Sequence, residues 1–302
     1  MARENTVIIH GVVAAKPVVS INSDGEPVIG AFFVLAVRRG RASRELLLHG
    51  GVYSDRLLVQ SRNSRVIKEM IAVLREGDTV TLKGTLSTLD VPRKFKCGAC
   101  GHITVKDEAV SVFVDPIFIK AGENIRDKNI ADIRNDVASE KRLSKKEAQE
   151  KIKKALEIKY NEYVAENSEI SNMFFGFGVV LNEPNFYDQR ENGMATCDFQ
   201  ISTDRARRIT EDGPEKKADY PWVKTYGDTA RDAAQYLKTG SVIFIDGAIS
   251  AKLHTQKYTC ENCGNPVTKP VLSTNIVPYR IEYLQNWNHP DDDASEAIED
   301  EK

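Results

Sequence analysis

Apolar and polar positions along the first 120 residues fall into short β-type runs broken by Gly- and Pro-bearing turns. VIIHGVV (Val7–Val13) runs on to Pro17. The polar turn Asn22-Ser23-Asp24-Gly25 follows, and then AFFVLAV (Ala31–Val37). RLLVQS (Arg56–Ser61) reads as a third strand. Ser64–Leu74 switches to apolar residues three or four apart and ends at Gly77, which predicts a short helix. TVTLKGTL (Thr79–Leu86) and AVSVFVDPIFI (Ala109–Ile119) predict strands four and five.

The same succession recurs further on. FFGFGVV (Phe174–Val180) leads to Pro184, and the turn Glu191-Asn192-Gly193 precedes CDFQIST (Cys197–Thr203). YPWVKTY (Tyr220–Tyr226), a helical stretch Asp228–Leu237 stopped by Gly240, SVIFIDGAI (Ser241–Ile249) and LSTNIVPYRIEYL (Leu272–Leu284) complete it. Between the last two strands of each copy lies a Cys-x-x-Cys knuckle, KFKCGACG at 94–101 and KYTCENCG at 257–264, separated by 163 residues. The preceding GTLS (Gly84–Ser87) and GAIS (Gly247–Ser250) keep that separation, so the chain is an internal duplication. Strand–strand–strand–helix–strand–strand is the order of the OB-fold, a five-stranded Greek-key barrel. The expected fold is therefore all-β with a helical connector. Two tandem OB-fold barrels occupy residues 1–120 and 171–288, each with its knuckle in the strand 4–5 hairpin.

Residues 121–170 carry a different period. Ser144 and Glu147 form a capping box, and Ala148, Ile152, Ala155, Leu156, Lys159 and Tyr163 trace one face behind it; Asp127–Val137 shows a weaker version. This predicts a charged helical spacer packed along one barrel, with a partner-binding helix as the alternative.

The length of 302 residues agrees with two domains at about 150 residues each. No apolar run approaches the ~20 residues of a membrane helix, and Met1–Val7 is too polar for a signal peptide. The expectation is a cytoplasmic protein with no membrane partner. Residues 1–120 carry a net charge of +5, whereas residues 289–302 carry −6 and read as a disordered acidic tail. A tail of that charge beside a basic barrel suggests competition with a polyanion for the basic loops.

Four of the five cysteines sit in the knuckles. In a reducing compartment such pairs point to metal more than to disulfides. Zn²⁺ takes four thiolates or imidazoles, and Cys-x-x-Cys lets two of them grip one ion from a tight turn, which Gly101 and Gly264 suit. Cys97, Cys100, Cys260 and Cys263 are thus candidate ligands for one structural zinc joining both hairpins. The alternatives are pairing between subunits, His102 as a third ligand, reduced structural thiols, or redox activity. Cys197 alternates into a strand and reads as core. Catalysis finds no support: the five histidines do not repeat, and no phosphate-cradling loop, paired-carboxylate motif or nucleophile elbow appears.

The chain resembles the bacterial single-stranded DNA-binding protein family. Copy one has Asn5-Thr6-Val7-Ile8-Ile9-His10-Gly11-Val12-Val13 with Pro17, then Phe33-Val34-Leu35-Ala36-Val37-Arg38-Arg39. Copy two has Gly178-Val179-Val180 with Pro184, Trp222-Val223-Lys224-Thr225-Tyr226-Gly227-Asp228-Thr229-Ala230, and Tyr236-Leu237-Lys238-Thr239-Gly240-Ser241-Val242. The resemblance covers roughly residues 5–119 and 172–285. It implies non-sequence-specific binding of single-stranded DNA in replication, recombination or repair, without chemistry, and a homodimer that brings four barrels together. The family's acidic tail ends in an apolar tip that docks partner proteins, whereas this one ends Ile298-Glu299-Asp300-Glu301-Lys302.

In such proteins a basic groove tracks phosphates and aromatic rings stack on bases. Candidate phosphate contacts are Arg38, Arg39, Arg41, Arg44, Arg93, Lys94 and Lys96 in copy one, and Arg205, Arg207, Arg208, Lys252 and Lys257 in copy two. Phe95 and Tyr258, each two residues before a knuckle, are candidate stackers. Tyr220 falls where the family carries a stacking tryptophan, and Trp222 is the adjacent candidate. Phe32, Phe33, Phe113, Phe199 and Tyr283 read as barrel core. Two other readings remain. One is an OB-fold adaptor holding replication or recombination proteins through its connector or acidic tail; the other is an RNA-binding OB protein. A nuclease is the remote third.

Overall fold

The structure, a computed structural model, describes residues 4–39, 54–91, 93–106, 110–140, 143–189, 194–205 and 217–288, without the side chains at 93, 106 and 189. In copy one the strands are β1 (Asn5–Val13), β2 (Val18–Ile21), β3 (Pro27–Ala36), β4 (Asp55–Ser61), β5 (Asp78–Asp90), β6 (Arg93–Lys96), β7 (Ile103–Lys106) and β8 (Val110–Asn124). Helix α1 (Ser64–Glu69) and a 3-10 turn (Ile71–Val73) lie between β4 and β5. The connector holds α2 (Ile125–Ser139), α3 (Lys145–Glu166) and the short α4 (Ser168–Ser171). Copy two comprises β9 (Asn172–Val180), β10 (Asn185–Gln189), β11 (Met194–Asp204), β12 (Ala218–Asp219), β13 (Trp222–Tyr226), α5 (Asp228–Tyr236), β14 (Val242–Thr259) and β15 (Pro266–Gln285). No helix among the described residues is long and apolar enough to cross a membrane.

Each copy closes on itself. β1 pairs with β5, β5 with β8, β8 in parallel with β4, β4 with β3, and β3 with β1. In copy two β9, β14, β15, β13 and β11 repeat that circuit, with β13–β15 as the parallel step. Strand alternation explains the closure: β11 buries every second residue (Ala195, Cys197, Phe199, Ile201) against the barrel interior. Gly11 is needed where β1 meets β3, because a Cβ there would lie 2.1 Å from the Leu35 carbonyl oxygen. The edge strands β2 and β10 were not expected; both are short and carry little alternation.

The two barrels share one sheet. β1 and β9 pair antiparallel, and Val7 faces Phe174, which is its own repeat equivalent. A pseudo-twofold axis therefore passes through that pair. Asn5 and Asn172, equivalent by the same offset, brace their barrels alike. Asn5 donates to the Leu86 carbonyl (2.9 Å) and accepts from the Leu86 N–H (2.9 Å). Asn172 does the same with Ile249 (2.7 and 3.0 Å).

Arg38 and Arg205 depart from expectation. Read as nucleic-acid contacts, both lie buried in pseudo-equivalent ion pairs, with side chains 5% and 3% exposed. Arg38 Nε sits 3.2 Å from Asp55, whose other oxygen accepts from Ser250 Oγ (3.1 Å) and the Ala251 N–H (2.9 Å) across the barrel boundary. Arg205 Nη2 lies 2.6 Å from Asp219 and donates to the Thr88 carbonyl at 2.8 Å. Asp219 in turn accepts from the Thr88 N–H (2.7 Å) and hydroxyl (3.1 Å). Each pair closes a strand end and hydrogen-bonds the other barrel, so its arginine is committed to the protein.

The connector docks on barrel one, as its period predicts, with Ser144 and Glu147 making the capping box. Leu156, Tyr160 and Val164 bury against Val12, Leu35 and Val37, and Ile125 and Ile133 join that core. Tyr160 and Val164 replace the predicted Lys159 on the buried stripe. His10 bridges the two layers, its Nδ1 2.8 Å from Thr81 Oγ1 and its Nε2 2.8 Å from the Tyr163 hydroxyl. Phe32, Phe113 and Phe199 lie in the core, whereas Phe33 points outward at 38% exposure because it occupies the opposite face of β3.

Candidate nucleic-acid interface and thiol cluster

The knuckles fold identically. The Gly101 N–H donates to the Cys97 carbonyl (2.9 Å) and the Cys97 N–H to the His102 carbonyl (2.8 Å); Gly264, Cys260 and Asn265 repeat this at 2.9 and 2.9 Å. Gly101 and Gly264 adopt φ of 73° and 72°, the left-handed region that glycine takes without strain. The pseudo-twofold axis brings the two turns face to face. The four Sγ atoms all lie within 4.8 Å of one another, with Cys97–Cys263 at 3.6 Å and Cys100–Cys260 at 3.7 Å. Tetrahedral thiolates at ~2.3 Å from one zinc would stand about 3.8 Å apart, so the four atoms fit a single four-coordinate ion. His102 is not part of this cluster.

Local donors favour thiolate at one edge. The His102 backbone N–H and the Asn262 side chain bring Cys100 down to about 6. The Cys100 and Ala99 backbone N–H groups lower Cys97. The Asn265 N–H also pulls Cys263 down, but neighbouring Cys100, burial and the remaining thiols outweigh it and push it up to about 11. Four crowded thiols cannot all ionise without a cation among them. Cys197 stands apart in the core, raised to about 11 by burial.

Phe95 and Tyr258 do not form a stacking platform. Phe95 is 2% exposed, and its ring centroid lies 3.7 Å from that of Tyr258. The symmetry that aligns the cysteines packs these equivalent residues against each other as a small core beneath them. Lys269 sits 5.4 Å above the Phe95 ring and donates to the Lys94 carbonyl at 3.0 Å.

Of the other candidates, Lys94, Lys96, Lys252 and Lys257 are exposed on the two hairpins. Arg39 is exposed, 5.1 Å from the Tyr279 ring centroid. Arg93 opens β6, but its side chain lies outside the described residues, as do Arg41, Arg44, Arg207, Arg208 and the acidic tail 289–302. Tyr220 and Trp222 are exposed at 38% and 39%. Sequence reasoning missed their neighbours. Trp222, Lys224 and Tyr226 share the outer face of β13, and Tyr187 on β10 lies in register with Tyr226 through Thr196 of β11. Tyr187 is 58% exposed. The two-residue spacing Tyr220, Trp222, Lys224, Tyr226 is the signal that could have found this row. On the outer face of β9 and β14, Met173, Phe175, Phe177 and Phe244 are half-buried, with Phe177 and Phe244 4.9 Å apart.

Residues 171–279 match the Single-strand binding protein family. The chain is 26% identical over 101 residues to Single-stranded DNA-binding protein 1 of Clostridium acetobutylicum, covering 32% of this chain and 90% of that one. It is 31% identical over 85 residues to Single-stranded DNA-binding protein 1 of Synechocystis sp., covering 28% of this chain and 64% of the relative. Among solved structures, the wild-type single-stranded DNA binding protein from Thermus aquaticus matches 96% of this chain and 97% of its own, with a TM-score of 0.53 and 11% identity. A deletion mutant of that protein matches with a TM-score of 0.50 and 14% identity. At that identity the structural likeness establishes the fold, a tandem pair of OB barrels, while the family match lies in the second barrel.

Proposed function

We propose that this single-strand-binding-protein-like chain binds single-stranded DNA without sequence preference, as a coating protein of replication, recombination or repair rather than an enzyme. The observation that carries the reading is the row of exposed Tyr187 and Trp222 with half-buried Tyr226 between them, which lies on the barrel that matches the family. Bases stack on such rings at about 1–3 kcal/mol each, whatever their identity. Phosphates pair with exposed Arg39, Lys94, Lys96, Lys252 and Lys257. The four-thiol cluster holds one Zn²⁺, which braces the hairpins and performs no chemistry.

Two chains then pair through the apolar sheet face Met173, Phe175, Phe177 and Phe244, which gives a four-barrel homodimer. Native mass at two chains supports that arrangement, and a monomer at micromolar concentration refutes it. The DNA reading is tested by anisotropy of labelled oligo(dT) at several salt concentrations. Affinity should fall log-linearly with salt, because each neutralised phosphate releases counterions. A scaffold protein would leave the oligonucleotide unbound at micromolar protein, and tighter binding of a matched RNA would move the assignment to RNA.

A further inference from the structure

Among the described residues, the hairpin β6–β7 forms a two-stranded sheet of its own, with no backbone pairing to the large sheet. Its strands are four residues each, and an isolated hairpin of that size is marginal in water. What holds it beside the β14–β15 tip is side-chain contact: the four sulfurs, the Phe95–Tyr258 pair, and Lys269 on the Lys94 carbonyl.

The charge on these two hairpins works against their meeting. Residues 91–106 and 252–270 together carry seven Lys/Arg (Arg93, Lys94, Lys96, Lys106, Lys252, Lys257, Lys269) against a single carboxylate, Glu261. Lys94, Lys96, Lys252 and Lys257 are exposed and make no ion pair with any described residue. Some surface cations elsewhere are paired, as Arg56 is with Glu157 and Arg126 with Glu76. A divalent ion held by four thiolates carries a net charge of −2 at the centre of this cluster. It supplies both the covalent-strength tie and the counter-charge that allow the two hairpins to stand together.

We propose that metal binding at Cys97, Cys100, Cys260 and Cys263 assembles a basic arm for the phosphate backbone of single-stranded DNA, a surface that exists only while the metal is bound. The proposal rests on the single-stranded DNA reading above and adds a metal dependence to it. β6–β7 carries Lys94 and Lys96 next to the cluster, with Lys94 against Lys269 of β15, which pairs with Gln256 beside Lys257 on β14; Lys252 lies further down β14, in register with Ser273. Loss of the metal frees that hairpin, and the lysines it carries then disperse.

The test uses the full chain in three forms: zinc-loaded, metal-free but kept reduced, and the K94A/K96A/K252A/K257A variant, whose cysteines are intact. Zinc content, hydrogen exchange of residues 93–106 and oligo(dT) affinity against salt are measured for each. Zinc-loaded protein should contain one ion per chain, and metal removal should speed exchange in 93–106. At about 0.7 per phosphate contact on a single strand, loss of all four contacts lowers the salt exponent by about 3, and loss of the two carried by β6–β7 lowers it by about 1.4. The zinc-loaded lysine variant should show the larger loss and metal-free wild type the smaller one, and removing metal from the lysine variant should cost nothing further. Unchanged affinity and exponent in the metal-free protein overturn the arm and leave the DNA reading standing. So does a lysine variant that stays fully sensitive to metal. No binding by zinc-loaded wild type overturns both.

Discussion

The two barrels are built alike and finished differently. Both close through the same five-strand circuit, both are pinned by an asparagine at the start of their first strand, and both end their second strand in an arginine buried against an aspartate. Their outer faces diverge. Barrel one lays α3 over Val12, Leu35 and Val37, and carries Leu58, Gln60 and Arg62 where barrel two carries Trp222, Lys224 and Tyr226. His10, which anchors α3 through Tyr163, has Phe177 as its equivalent. Duplication has kept what closes the barrels and joins them, while the two outer faces have diverged. In this account barrel two offers rings to bases, while barrel one offers a docking face for the connector and half of the thiol cluster.

The largest expected effect attacks what the barrels share. Asp219→Ala leaves Arg205 buried without its carboxylate and severs the two bonds that Asp219 accepts from Thr88, so urea unfolding should show a loss of about 3–5 kcal/mol. Asp55→Ala should cost a comparable amount; a large inequality would mean that the two pairs are equivalent in position only. The next effect separates the faces. Trp222→Ala should weaken oligo(dT) binding by about 1–3 kcal/mol, as expected for one lost stacking platform. Leu58→Ala, at the equivalent place in barrel one, should leave binding nearly unchanged. Equal losses would erase the proposed division of labour.

The smallest effect belongs to barrel one alone. Burial lowers the His10 pKa, so the folded state binds its proton less readily than the unfolded chain. Stability is therefore full above the unfolded value of about 6.5 and declines as pH falls below it, levelling off under the lowered folded value. His10→Phe, which copies barrel two, should flatten that slope between pH 7.5 and 5. A slope unchanged in the variant would assign the pH dependence to other groups.

Much of this was legible because the chain repeats itself. Two Cys-x-x-Cys knuckles at one separation disclosed the duplication, and the same symmetry, acting in space, brings the four sulfurs together. Element order disclosed the barrels for the same reason, and the Ser144–Glu147 box and the Leu156 stripe disclosed the docked connector. What escaped was whatever depends on the other barrel. Arg38 and Arg205 looked like free loop cations because the aspartates that trap them are 17 and 14 residues away and are themselves held from across the boundary, Asp55 by Ser250 and Ala251 and Asp219 by Thr88. Phe95 and Tyr258 looked like a repeated stacking pair, but the twofold places these equivalent residues against each other, burying Phe95 and half-burying Tyr258. Trp222 and Tyr226 were in plain alternation on one strand. Their partner Tyr187 sits on the short strand β10, whose pairing with β11 could be read only in three dimensions.

The central claim is that single-stranded DNA lies on the outer face of barrel two. Trp222 and Trp287 are the two tryptophans, so Trp287→Phe leaves Trp222 as the sole indole reporter. Titration of that variant with oligo(dT) should quench its emission to a plateau, with a midpoint matching the anisotropy titration. Full binding by anisotropy with unchanged Trp222 emission would contradict the claim and place the strand elsewhere on the molecule.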